Sequence, residues 1–112
     1  MADETKDWKL KLRYGILKTE LKHFTVIADG MVSELTHGFQ CPSGRAFMSM
    51  KTWASDEAES QDMIRVIGHN IGFEVDGEVY VYDTEPEEPP TEKPHGYDIS
   101  FKPYEREASE SQ

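Results

Sequence analysis

The stretch Asp56-Glu-Ala-Glu-Ser-Gln-Asp-Met-Ile-Arg-Val-Ile-Gly-His-Asn-Ile-Gly72 decides the fold. Met63, Ile64, Ile67 and Ile71 recur at spacings of three and four, which gathers them on one side of an α-helix. Asp56, Glu57 and Glu59 stand where a helix N-terminus offers unsatisfied N–H groups, and Asp56 followed by Glu59 is a variant of the capping box. Gly72 can take the left-handed conformation that ends a helix. The spacing predicts a helix from about Ser55 to Ile71, with Asp62 and Arg65 toward water. The sequence around it is β-rich, so this single helix sets the class as α+β rather than all-β.

Downstream, Phe73-Glu-Val75 and Glu78-Val-Tyr-Val-Tyr82 flank Asp76-Gly77. Asp-Gly suits the positive φ of a two-residue hairpin loop, so a hairpin is expected there. Tyr80 and Tyr82 share one face of its second strand, and Val79 and Val81 take the other. A strand apolar on both faces reads as central, or covered on each side. The run from Asp83 to Pro94 is acidic and proline-rich and reads as an exposed connector. Tyr97, Ile99 and Phe101 then alternate with polar residues as a last strand, and Pro103 suits the end of a strand at a sheet edge.

Upstream, Phe24 to Leu35 holds two β-rich runs around Asp29-Gly30, a second expected hairpin. Residues 36–52 have no clean period. Gly38, Pro42, Ser43 and Gly44 mark a loop there, and Ala46 to Met50 reads as a short strand or an irregular buried segment. Trp8, Leu10, Leu12 and Tyr14 alternate with Lys9, Lys11 and Arg13, the period of an amphipathic strand.

The expected architecture is a mostly antiparallel sheet of four to six strands with one helix packed on one face. It spans residues 8–104 as a single domain, between a flexible acidic stretch at 1–7 and a disordered tail at 105–112. Leu10, Leu12, Val26, Ile64, Ile67, Val79, Val81 and Ile99 are expected in its core.

The chain has 112 residues, a formal net charge of −10 and one cysteine. Residues 1–53 carry eight Lys or Arg against six Asp or Glu, while residues 54–112 carry four against sixteen. Such acidity repels phosphate backbones, which argues against nucleic-acid binding. A base-stacking sheet would need a positive surface that this charge does not favour. A single thiol excludes an intrachain disulfide, and no apolar run is long enough to span a bilayer, so no membrane partner is expected. Neither Gly-x-x-x-x-Gly-Lys nor Gly-x-Gly-x-x-Gly occurs, and no cofactor is expected. The N-terminal residues lack the pattern of a secretory signal, which makes cytoplasm the location by elimination.

No catalytic constellation emerges, and the reading leans against an enzyme. His23, His37, His69 and His95 lack metal-ligand spacing, and no metal site is expected. Two groups of residues are candidates for function. Tyr14, Tyr80, Tyr82 and Tyr97 are large, rigid and amphipathic, suited to an interface with a protein partner or another copy of the chain. Alternatively, His37, Cys41, Arg45 and Trp53 could form a small-ligand site or a weak active centre on the 36–53 loop, with Cys41 between a histidine and an arginine. Trp53 also suits a hydrophobic staple on the first turns of the helix.

Overall fold

A computed structural model describes residues 4–15 and 17–104. The tail at 105–112 and residues 1–3 of the expected flexible stretch lie outside the described residues. The elements in chain order are α1 (Glu4–Arg13), β1 (Lys22–Val32), β2 (Gly44–Ala54), α2 (Glu57–Ile71), β3 (Phe73–Asp83) and β4 (His95–Pro103). The four strands form one sheet in the order β3-β1-β2-β4, antiparallel throughout. The molecule is therefore an α+β fold.

The helix read from its caps is α2. Asp56 is extended at the N-cap, and its carboxylate accepts the Glu59 N–H at 2.9 Å. Glu59 reaches back to accept the Ser55 N–H at 2.6 Å, completing a capping box shifted by one residue. Gly72 closes the helix with φ 105°.

Ile64 and Ile71 of α2 pack into a core with Val26 and Ala28 of β1, Met48 and Met50 of β2 and Phe73 of β3. Each large side chain buried there contributes about 1.5–3 kcal/mol relative to exposure. Ile67, Val79, Val81 and Ile99 pack against this core while staying partly exposed.

Four expectations are corrected. Residues 8–14 do not form a strand, since residues 4–13 are helical. Alternation over so few residues also places Trp8 with Leu12, and Leu10 with Tyr14, one helical turn apart. Leu, Lys and Arg are good helix formers, and no sheet edge takes this segment as a partner. Leu10 is 49% exposed and Leu12 partly exposed, so neither belongs to the core.

The two Asp-Gly pairs are not hairpin turns. β1 runs unbroken through Asp29-Gly30, and β3 runs through Asp76-Gly77. The register of β1 against β3 moves from Ala28↔Val79 to Gly30↔Val75, so Asp76 to Glu78 form a bulge opposite Asp29. Glycine at position 30 answers a close approach rather than a turn. A Cβ there would collide with the Glu74 carbonyl oxygen and come within 2.8 Å of the Phe73 ring.

Third, residues 44–54 are a full strand, so the irregular stretch ahead of α2 shortens to residues 33–43. Fourth, β3, whose Glu78–Tyr82 half was expected to be central or covered on each side, is an edge strand with Tyr80 and Tyr82 exposed.

Candidate functional site

Alternation along each strand divides the sheet into two faces. Val26, Ala28, Met48, Met50 and Phe73 point to the face that α2 covers. Ile27, Phe47, Ser49, Tyr80, Tyr82, Ser100 and Lys102 point to the other, where they line an open groove of about 470 Å³. The groove crosses all four strands, because Ile27 pairs with both Ser49 and Tyr80 while Phe47 pairs with Lys102. Tyr80 is 42% exposed and Tyr82 is 50% exposed. Isolated exposed apolar side chains are ordinary; here Ile27, Phe47, Tyr80 and Tyr82 lie side by side in one groove.

Polar clusters close the groove at both ends. At one end Arg45 of β2 reaches across β1 to β3. Its guanidinium donates two bonds to Asp76, at 2.7 and 3.2 Å, and one to Asp29 at 3.3 Å. Tyr104 donates its hydroxyl hydrogen to Asp29 at 2.8 Å and stacks on Phe47 with ring centroids 5.2 Å apart. The Arg45 bond holds the Asp76 carboxyl below its usual pKa. The two Asp-Gly pairs are thus halves of one cross-strand junction, since Gly77 lies against Asp29 and Arg45 joins the two acids.

At the other end His23 of β1 is buried against Trp53 of β2 and Tyr97 of β4, with ring centroids 5.1 and 5.7 Å away. His23 Nδ1 donates to the Thr84 carbonyl at 3.0 Å. Tyr97 Oη accepts the Glu87 N–H at 3.0 Å and donates its own hydrogen to His23 Nε2 at 2.6 Å. The Trp53 indole N–H donates to the Glu88 carbonyl at 2.8 Å. Lys51 pairs with Glu87 and with Asp98. Burial lowers the His23 pKa against the opposing effect of the Thr84 carbonyl, which matches the neutral Nδ1–H tautomer this network requires. The first residues of the acidic, proline-rich connector are therefore latched to the open face.

The candidate residues from the sequence fall into separate places. Tyr80 and Tyr82 come together in the groove, and Tyr97 lies on the same face within the His23 cluster. Tyr14 stands apart just beyond α1, 71% exposed. Arg45 and Trp53 lie near opposite ends of β2, eight residues and roughly 26 Å apart at ~3.3 Å per residue. Cys41 packs partly against the core, where burial raises its thiol pKa. His37 is exposed with φ 60° and hydrogen-bonds the Thr36 hydroxyl at 2.6 Å. The structure does not draw these four into one pocket. Trp53 does not staple α2 either, because it faces the opposite side of the sheet.

His23, Ile27 and Phe47 were missed as parts of this surface. Reading Asp29-Gly30 as a turn broke the alternation of β1 on which Ile27 would have been recognised, and Phe47 lay in a segment without a clear period. Among the described residues, no helix is long and apolar enough to cross a membrane. No protein-family model, curated protein or solved structure matches this chain.

Proposed function

We propose that this chain is a small protein-interaction module whose binding surface is the open face of the sheet. The observation that carries this reading is the groove lined by Ile27, Phe47, Tyr80 and Tyr82 on the sheet face opposite α2. Tyrosine is enriched at binding surfaces because a large rigid ring loses little rotamer freedom when it is buried by a partner. The fixed polar clusters at each end supply a rim, the usual complement to an apolar centre.

Selection of a displayed peptide library against the full chain tests this reading. Selected peptides should bind the double variant Tyr80→Ser/Tyr82→Ser about thirty-fold more weakly or worse, the loss typical of truncating central anchors. Both positions are exposed, so the variant should keep the native thermal midpoint. Peptides indifferent to these substitutions, or no face-dependent peptide at all, would remove the proposal.

A further inference from the structure

We infer that residues 85–88 form a proton-operated latch hinged at Thr84, closed while the His23 imidazole is neutral and opened when it takes up a proton. The inference is independent of what occupies the groove.

The bonds around His23 fix one direction of donation. Its Nδ1–H goes to the Thr84 carbonyl at 3.0 Å, which leaves Nε2 as the acceptor of the Tyr97 hydroxyl hydrogen at 2.6 Å. The Tyr97 oxygen accepts the Glu87 N–H at 3.0 Å, and the Glu88 N–H bears on the same oxygen. Its hydrogen is thus turned to His23 and its acceptor side to the connector.

Protonation reverses the central bond. Nε2 gains a hydrogen, so two hydrogens face each other across a contact that needs one, and the hydroxyl must turn. Turning carries its hydrogen toward the connector amides from which the oxygen was accepting. The Glu87 N–H then loses its acceptor, and an unmatched polar group in a partly buried site is costly. The Nδ1–H bond to Thr84 is the same in both states, which makes Thr84 the pivot. What still holds residues 85–88 is the Trp53 indole bond to the Glu88 carbonyl and the Lys51–Glu87 ion pair, whose carboxylate is largely exposed.

The surroundings of the ring favour coupling of the proton to opening. Burial is the largest influence on His23 and disfavours its charged form, and Lys51 of β2 acts in the same direction. The Thr84 carbonyl, Glu87 and Glu85 oppose them. Opening hydrates the ring and removes the burial that keeps it neutral, so the proton binds the open form better. Tyr97 and His95 of β4 are the other titratable groups beside the site, with their rings 6.1 Å apart. Asp98 is engaged with Lys51, and Lys22 and Asp83 alternate to the other face of the sheet.

The latch also reaches a second concave region. A few residues further on, Pro90 and Pro94 form one wall of an open cleft of about 930 Å³, facing Leu17, Leu21 and Ser55. Release at Glu87 and Glu88 frees the start of that wall, while β4 holds its end from His95 onward.

Amide hydrogen exchange followed by NMR on the full chain tests the latch, each rate being compared with that of an unstructured chain at the same pH. Below the ordinary histidine value of 6.5, protection of the Glu87 N–H should fall by up to about ten-fold per pH unit, the slope for one proton taken up on opening. Val26 and Met50 in the central strands should stay far better protected at every pH, because the opening is local. His23→Gln should flatten the Glu87 dependence, and His95→Gln should leave it intact. Tyr97→Phe removes only the hydroxyl and should expose the Glu87 N–H already at neutral pH, with Val26 and Met50 unchanged. Protection of Glu87 that ignores pH, that equals that of the central strands, or that survives Tyr97→Phe would overturn the latch. So would a pH dependence that persists in His23→Gln.

Discussion

The two faces of the sheet are built from the same strands by the same alternation, yet they are finished differently. On one face Val26, Ala28, Met48, Met50 and Phe73 are sealed beneath α2. On the other, Ile27, Phe47, Tyr80 and Tyr82 lie in an open groove, and order comes from polar clusters at its two ends. The sealed face gains stability from burial, which is non-directional and scales with area. The open face keeps its apolar area in reserve and is shaped by directional bonds. A small sheet with one helix over it can therefore order its two sides by different interactions, burial on one and directional bonds on the other.

The largest test of this division is Phe73→Ala. Phe73 is fully buried, lies against Phe101 and fills the space left by Gly30. Truncation should cost about 3–5 kcal/mol in urea unfolding, the range for removing a buried aromatic ring. Tyr80→Ser/Tyr82→Ser should leave the unfolding midpoint in place. Equal losses on the two faces would erase the distinction.

Gly30→Ala probes the same packing from β1. The added methyl would meet the Glu74 carbonyl and the Phe73 ring, so β1 and β3 must separate locally. A loss of about 1–3 kcal/mol is expected in the same measurement, as for overpacked cores. An unchanged midpoint would show that Gly30 serves some other purpose.

The smallest effect concerns the open face and depends on pH. Burial holds the folded His23 pKa below its unfolded value, so the unfolded chain binds more protons between the two. The stability linked to neutral His23 is complete above about pH 6.5 and falls away as pH drops through the lower folded value. Lys51 reinforces this shift, whereas Glu85 and Glu87 oppose it. Unfolding free energies measured from pH 7 to pH 5 should decline less steeply in His23→Gln than in the native chain. Parallel slopes would place the pH dependence elsewhere.

How legible each face was follows from the range of the interactions that make it. α2 could be read because its caps and stripe lie within the helix itself, from Asp56 to Gly72. The pairing of Tyr80 with Tyr82 was equally local, being an alternation within one strand. The Asp-Gly pairs misled because their turn chemistry is local while their actual setting is not. Gly30 is shaped by Phe73 and Glu74, and Asp29 by Arg45 and Tyr104, contacts that no short window contains. The His23 cluster was hidden for the same reason. Its partners Trp53, Thr84, Glu87 and Tyr97 meet only when the connector folds back. α1 was misread because few residues with two periods in common suit either element, and only the absence of an adjoining strand separates them.

The latch at the start of the connector also bears on where this chain can be lengthened. Thr84, Glu87 and Glu88 are bonded through their backbones to side chains of three different strands, which sets the spacing between those residues. Residues 89–94 carry no comparable tie to the sheet among the bonds described here, although Thr91 bonds locally to Lys93 and His95. Inserted sequence would therefore be accommodated after Glu88 and would unseat the fold if placed a few positions earlier, so a linker by composition is a measured spacer over half its length.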